Sequence, residues 1–167
     1  LQSMRPGLLA AQGVSAEQLR AIKPSLVWCD LGAFGSGGPL SQQPGYDPLM
    51  QAFGGLMSVT GEEKRPPVRT GYSVVDMGTG MWAATSILAS LYRRLATGEG
   101  CLVEVSLYET ALSWMSVGAA QYLSSGDVPG CHGSGASTIV PYRAYATGDG
   151  YLVVAAATMA CSPSSPP

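Results

Sequence analysis

The sequence predicts an α/β fold, and three observations carry that prediction. Short apolar runs of strand length alternate with segments of helical period as far as Leu107. The runs at 26–29 and 101–107 are flanked by turn and helix signals, as buried strands are. The composition, 46% hydrophobic and 12% charged over 167 residues, suits a chain that buries a sizeable core.

Each element has its own signal. Residues 8–22 read as a helical region, with Ser15 as the N-cap of 16–22 and Pro24 ending it. Residues 26–29 make a short apolar strand, and the glycine- and proline-rich stretch 32–45 is a loop. Leu49, Met50 and Phe53 place a helix over 48–57. A charged turn at 62–67 leads through 68–75, whose last residues, Tyr72 to Val75, form a strand-like approach to Asp76. A long helix is then predicted over 78–97. Met81, Ala84, Thr85, Leu88, Leu91, Tyr92 and Leu95 recur on its packing side, Arg93 and Arg94 lie in its last turns, and Gly98 closes it. Alternation over 101–107 predicts a strand that buries Cys101, Val103, Val105 and Leu107. A second helix spans 108–122, with Leu112, Met115, Ala119 and Tyr122 spaced for packing, and a glycine-rich linker follows at 126–137. Residues 139–146 and 151–157 flank Thr147-Gly148-Asp149-Gly150, which predicts a β-hairpin.

Composition narrows the function. A net charge of -2 offers no basic footprint, so a nucleic-acid partner is not expected. No apolar run reaches the roughly 18 residues that a membrane span needs. Cys29, Cys101, Cys131 and Cys161 are widely spaced with no CxxC pair, so no metal site is expected. Cys29 and Cys101 fall in apolar runs and read as buried free thiols of a reducing compartment. The expected setting is cytoplasmic, or a mitochondrial or peroxisomal matrix in a eukaryote.

The candidate reactive group is Asp76. It stands at or beside the N-cap of the long helix, where backbone N–H groups and the helix dipole favour an ionised carboxylate. Gly78 and Gly80 follow it, leaving room for a reactant and backbone donors for an oxyanion. Taken alone, an aspartate in this position reads first as a structural N-cap. Tyr46-Asp47 has the same two readings, a loop tyrosine with a capping aspartate or a pair beside the reacting atoms. His132, the one histidine, reads as a solvated loop residue.

Five segments occur in order: Arg5-Pro6-Gly7, Pro44-Gly45-Tyr46-Asp47, Gly54-Gly55-Leu56-Met57-Ser58-Val59-Thr60-Gly61, the Asp76 segment, and Thr97-Gly98-Glu99-Gly100 before Val103-Glu104-Val105-Ser106-Leu107. Ile139-Val140-Pro141-Tyr142 is a sixth. Together they resemble the family III CoA-transferases, a group that includes formyl-CoA transferase, carnitine CoA-transferase and the alpha-methylacyl-CoA racemases. The resemblance covers roughly residues 1–158.

It implies transfer of CoA from an acyl-CoA to a carboxylic acid, with Asp76 as covalent nucleophile and no tightly bound cofactor. Tyr46, Asp47, Gly78 and Gly80 would support the reaction, and Ser3, Met4, Arg5, Pro44 and Gly45 would contact CoA. It further implies a Rossmann-like large domain, a linker, the start of a smaller α+β domain, and an interlocked homodimer. The corresponding boundaries are 1–107, 108–132 and 133–158, followed by an aberrant or disordered tail at 159–167. The racemase branch carries histidine where this chain has Tyr46, and a tyrosine phenol is a poor base at neutral pH. That argues for transfer, with racemisation as the alternative. Ala11 stands where a basic residue is common in the family, and Ala136 where a histidine is.

Both ends look cut relative to the family, and earlier CoA-binding positions would precede residue 1. An inactive fragment is therefore a further alternative. Arg69 and Arg143 are isolated arginines near the predicted site segments, and Arg69 is the candidate clamp for a second carboxylate on a dicarboxylic acceptor such as succinate.

Overall fold

A computed structural model describes residues 1–156 of the chain. It opens with two short helices, α1 (Leu8–Ala11) and α2 (Ala16–Ile22). Ser15 starts α2 as its sequence predicts. Its hydroxyl accepts from the Gln18 N–H at 3.2 Å, and the Gln18 side chain accepts from the Ser15 N–H at 3.0 Å.

Strand β1 runs Trp28–Gly32, two residues beyond the apolar run that announced it. Leu26 is held in a turn by its N–H to the Lys23 carbonyl, so pairing begins only at Trp28. β1 lies parallel to β2 (Leu102–Ser106), with Trp28 opposite Leu102 and Gly32 opposite Ser106. Pairing thus draws Asp30 into the strand. Its carboxylate accepts from Gln2 Nε2 at 2.8 Å and from Trp28 Nε1.

The single helix expected over 48–57 is two, α3 (Asp47–Phe53) and α4 (Leu56–Val59). Gly55 breaks them apart with a φ of 89°, a left-handed conformation that no helix interior holds.

Helix α5 is Val74–Thr97, with Gly98 in the left-handed conformation at its C-terminus. It starts four residues before the predicted onset at Gly78, and the strand-like approach at 72–75 is not a strand. The packed face also differs from prediction. Val75, Gly78, Thr79 and Ala83 are buried, while Met81, Leu88, Tyr92 and Leu95 are exposed.

The physical reason is close approach to α6 (Leu107–Trp114). A Cβ at Gly78 would lie 2.8 Å from the Trp114 ring and 3.0 Å from the Thr110 methyl. The Thr79 hydroxyl sits 2.8 Å from that of Thr110, which itself reaches the Ser106 carbonyl at 3.0 Å. Large side chains on this face would hold the helices apart.

The helix expected over 108–122 also breaks, at Met115, into α6 and α7 (Ser116–Ser125). Its buried residues are Leu107, Thr110 and Ala111, whereas Leu112 and Tyr122 are exposed. Last comes the predicted hairpin, β3 (Tyr142–Ala146) against β4 (Tyr151–Ala155), antiparallel with Ala146 opposite Tyr151.

Two apolar clusters form the core. Met50, Val75, Leu107 and Ala111 join α3, α5 and α6; Cys29, Ala83 and Val103 join α5 to the β1–β2 pair. Cys29, Cys101 and Cys131 are free thiols, Cys29 fully buried and Cys101 half-buried. The expected tail at 159–167, with Cys161, lies outside the described residues.

Candidate active site

The site is built on the first turn of α5. Its early N–H groups have no partner within the helix and must be satisfied from outside. Val74 N–H donates to the Tyr72 carbonyl at 2.9 Å. Those of Val75 and Asp76 both donate to Asp47 Oδ2, at 2.7 and 3.1 Å. Asp47 is the first residue of α3 and is 2% exposed. It does cap a helix, but one 28 residues further along the chain rather than its own.

Asp76 is therefore the third residue of α5, inside the helix rather than at its cap. Because Asp47 satisfies the amides, Asp76 has no capping work. Among the described residues its carboxylate accepts no hydrogen bond, and it stands exposed at the positive end of the helix. The protein around it displaces water and pushes its carboxyl above the ordinary aspartate range, and the negative charge of Asp47 adds to that rise.

One residue before Asp47, the chain turns to a cleft of about 200 Å³. Ser3, Met4, Arg5, Pro44, Gly45 and Tyr46 all line it, with Ala33 and Leu107 among the apolar wall. The structure thus gathers in one place residues from the N-terminus and from the loop before α3 that the sequence names separately. Gly45 is required there, because a Cβ would run into the Met50 methyl and the Ala33 Cβ. Tyr46 is the N-cap of α3 and is 74% exposed. Arg5 is exposed and makes no salt bridge among the described residues. Asp76 is not part of that lining; Tyr46 and Asp47, consecutive in the chain, connect the cleft wall to the Asp76 amide.

Three expected roles change. Asp47 is not a substrate contact: it is buried, and both oxygens are occupied, Oδ1 by Gln51 Nε2 at 2.5 Å and Oδ2 by the α5 amides. The space at Gly78 is filled by Trp114 and Thr110, and as an interior helical residue its N–H belongs to the helix; the same holds for Gly80, whose Cα faces open space. Neither glycine is placed as an oxyanion donor. Arg69 is not on a strand, and its guanidinium donates to the carbonyls of Thr70 and Gly71 at 3.1 and 3.4 Å.

His132 lines a separate cavity of about 420 Å³ with Val59, Trp114 and Met115. Arg143 lies over the Tyr145 ring. Gln51 was not anticipated. Its spacing of four residues from Asp47 on one helix face was the available signal.

Comparison with known proteins places the chain in a family. The family model described as CoA-transferase family III matches residues 1–162. The chain is 38% identical to the succinyl-CoA:glutarate CoA-transferase of Homo sapiens, over 90% of this chain and 34% of that protein. It is 32% identical to the succinyl-CoA–D-citramalate CoA-transferase of Chloroflexus aurantiacus, over 90% of this chain and 37% of that one. The crystal structure of a CaiB/BaiF family protein from Brucella suis superposes with a TM-score of 0.84 at 33% identity, over 92% of this chain and 40% of that chain. The chain spans somewhat more than a third of the length of the relatives it matches. A match that runs from the first residue through the cleft, the α5 N-terminus and the hairpin leaves one conclusion: the chain belongs to CoA-transferase family III.

Proposed function

We propose that the protein transfers CoA from an acyl-CoA to a carboxylic acid, with the Asp76 carboxylate as nucleophile. The observation that carries the reading is the division of work between two carboxylates. Asp47 takes the helix amides, which leaves the Asp76 carboxylate exposed and unpaired, while the Asp76 N–H is tied to the residue that follows Tyr46 of the cleft wall. A carboxylate with a raised pKa is the more basic and therefore the stronger nucleophile while it remains ionised.

The chemistry closes without metal or external base. Asp76 attacks the thioester carbonyl, the C–S bond breaks, and CoA leaves as thiolate from a mixed anhydride. The thiolate attacks the aspartyl carbonyl, expelling the first acid as carboxylate and leaving an aspartyl-CoA thioester. The acceptor carboxylate attacks that thioester to form a second anhydride and release thiolate again. Attack of the thiolate on the acceptor's carbonyl gives the new acyl-CoA and frees Asp76. Every attacking group is already an anion, so no proton need move.

Small dicarboxylic acids are the substrate class we infer. The names of the two transferases above, succinyl-CoA with glutarate and with D-citramalate, support it. Ser3, Met4, Arg5, Pro44 and Gly45 form the CoA side of the cleft in this reading. The described α/β unit belongs to a Rossmann-like large domain, and two copies act as a homodimer.

The test is transfer from succinyl-CoA to glutarate, with hydroxylamine trapping and mass spectrometry of the Asp76 peptide. The wild type should yield a hydroxamate at Asp76, and Asp76→Ala should lose both adduct and transfer, by at least 1,000-fold in rate if covalent catalysis is lost (about 4 kcal/mol). Transfer retained in Asp76→Ala overturns the assignment. Deuterium wash-in at the α-carbon without an acceptor acid would replace it by racemisation.

A further inference from the structure

The polar cluster around Asp47 extends beyond a cap. Gln51, one turn further along α3, is fully buried, and its amide is used at both ends. Its Oε1 accepts from the Thr70 N–H at 2.9 Å and lies 3.2 Å from the Thr70 hydroxyl. Its Nε2 donates to Asp47 Oδ1 at 2.5 Å and reaches the Tyr72 carbonyl at 3.4 Å. The connection before α5 is thereby tied at Thr70 and Tyr72, and α5 itself at Val75 and Asp76.

These bonds have a direction. Thr70 donates to Gln51, Gln51 donates to Asp47, and the α5 amides donate to Asp47 from the other side. Asp47 accepts every bond and donates none, which only a carboxylate can do at both oxygens. Buried and fully partnered, such a group is costly to remove and holds its neighbours tightly.

We propose that Asp47 and Gln51 are a buried positioning pair for the nucleophile, holding the amide end of α5, and with it the Asp76 carboxylate, in register with the cleft wall at Tyr46. The assignment rests on reading Asp76 as the nucleophile; neither member of the pair touches a reacting atom. Asp47 is also the charge that acts on Asp76. Other charged groups on the surrounding elements are turned elsewhere: Arg69 to its own loop carbonyls, Glu109 of α6 to the Ser106 hydroxyl, Asp30 of β1 to Gln2 and Trp28. Glu104 of β2 lines a different cavity. Burial makes Asp76 more basic and the Asp47 charge adds to it, so the carboxylate that places the nucleophile also helps to sharpen it.

The test is by nuclear magnetic resonance on the chain itself and requires no turnover. In the unaltered protein a scalar coupling across the hydrogen bond should link the Val75 amide nitrogen to the Asp47 carboxyl carbon; its absence overturns the proposal. Asp47→Asn sets an NH₂ group against either Gln51 or the α5 amides. Exchange of the Val75 and Asp76 amides should then accelerate at least tenfold, and the Asp76 carboxyl should titrate lower than in the wild type.

Asp47→Asn combined with Gln51→Glu reverses the donor direction and moves the charge one hydrogen bond away from Asp76. Amide protection should return to within threefold of the wild type, while Asp76 still titrates lower. A merely structural aspartate would recover both properties or neither. Unchanged protection in the single variant, or failed recovery in the double, overturns the pair. If transfer survived Asp76→Ala, the nucleophile reading would fall while these measurements stood.

Discussion

Two aspartates set 29 residues apart meet at one helix end and have opposite fates. Asp47 is buried and accepts three hydrogen bonds, whereas Asp76 is exposed and accepts none among the described residues. The difference follows from which carboxylate reaches the free amides of α5. It has a measurable consequence for stability. The Asp76 carboxyl is raised in the folded chain, so the folded state holds its proton more tightly than the unfolded state does. Below the unfolded value of about 3.9 both states are protonated and the group contributes nothing. As pH rises through the folded pKa, the folded state must carry a charge it disfavours, and stability falls. Asp76→Asn should therefore melt above the wild type at pH 7, the gap closing as pH drops below about 3.9. Thermal melts across that range test it, and a variant less stable at pH 7 would contradict the direction. Neither aspartate's role was readable from its immediate neighbours, since the deciding contact spans 28 positions.

At the scale of elements, the chain announces its local caps and conceals its remote ones. The Ser15–Gln18 box lies within four consecutive residues and was legible. The start of α5 depends on Asp47 of α3, and the predicted onset at Gly78 was accordingly late. Periodicity likewise located α5 but named the wrong packing face. The large residues Met81, Leu88, Tyr92 and Leu95 share a stripe, yet the contact with α6 and β2 is made by Val75, Gly78, Thr79 and Ala83. Two glycines on this helix separate the cases. Gly80→Ala should stabilise by about 0.5–1 kcal/mol, because the site is open and alanine is the better helix former. Gly78→Val should destabilise by about 1–3 kcal/mol by driving into Trp114 and Thr110. Chemical denaturation of the two variants distinguishes them, and equal effects would mean that the close approach of α5 to α6 is not rigid.

For the whole molecule, the described surface is unusually apolar. Met77, Met81, Leu88, Tyr92 and Leu95 run along the exposed side of α5, with Val117 and Leu123 on α7 and Tyr151 and Val153 on β4. An exposed apolar stripe such as that along α5 drives association. The 167-residue chain should self-associate with rising concentration in sedimentation velocity. Leu88→Glu with Leu95→Glu should shift it toward monomer without lowering its melting temperature, since both side chains are already exposed. A concentration-independent monomer would show that this stripe has no affinity for another copy.

The sequence by itself determined the family, the α/β class and the approximate position of the elements, because motif order, apolar period and turn residues are properties of neighbouring positions. Tertiary structure alone decided where strand pairing begins, which face of α5 is packed, and that Asp47, rather than Asp76, satisfies the helix amides. Those outcomes depend on hydrogen-bond partners and close approaches between segments tens of residues apart, and no local pattern encodes a partner at that distance.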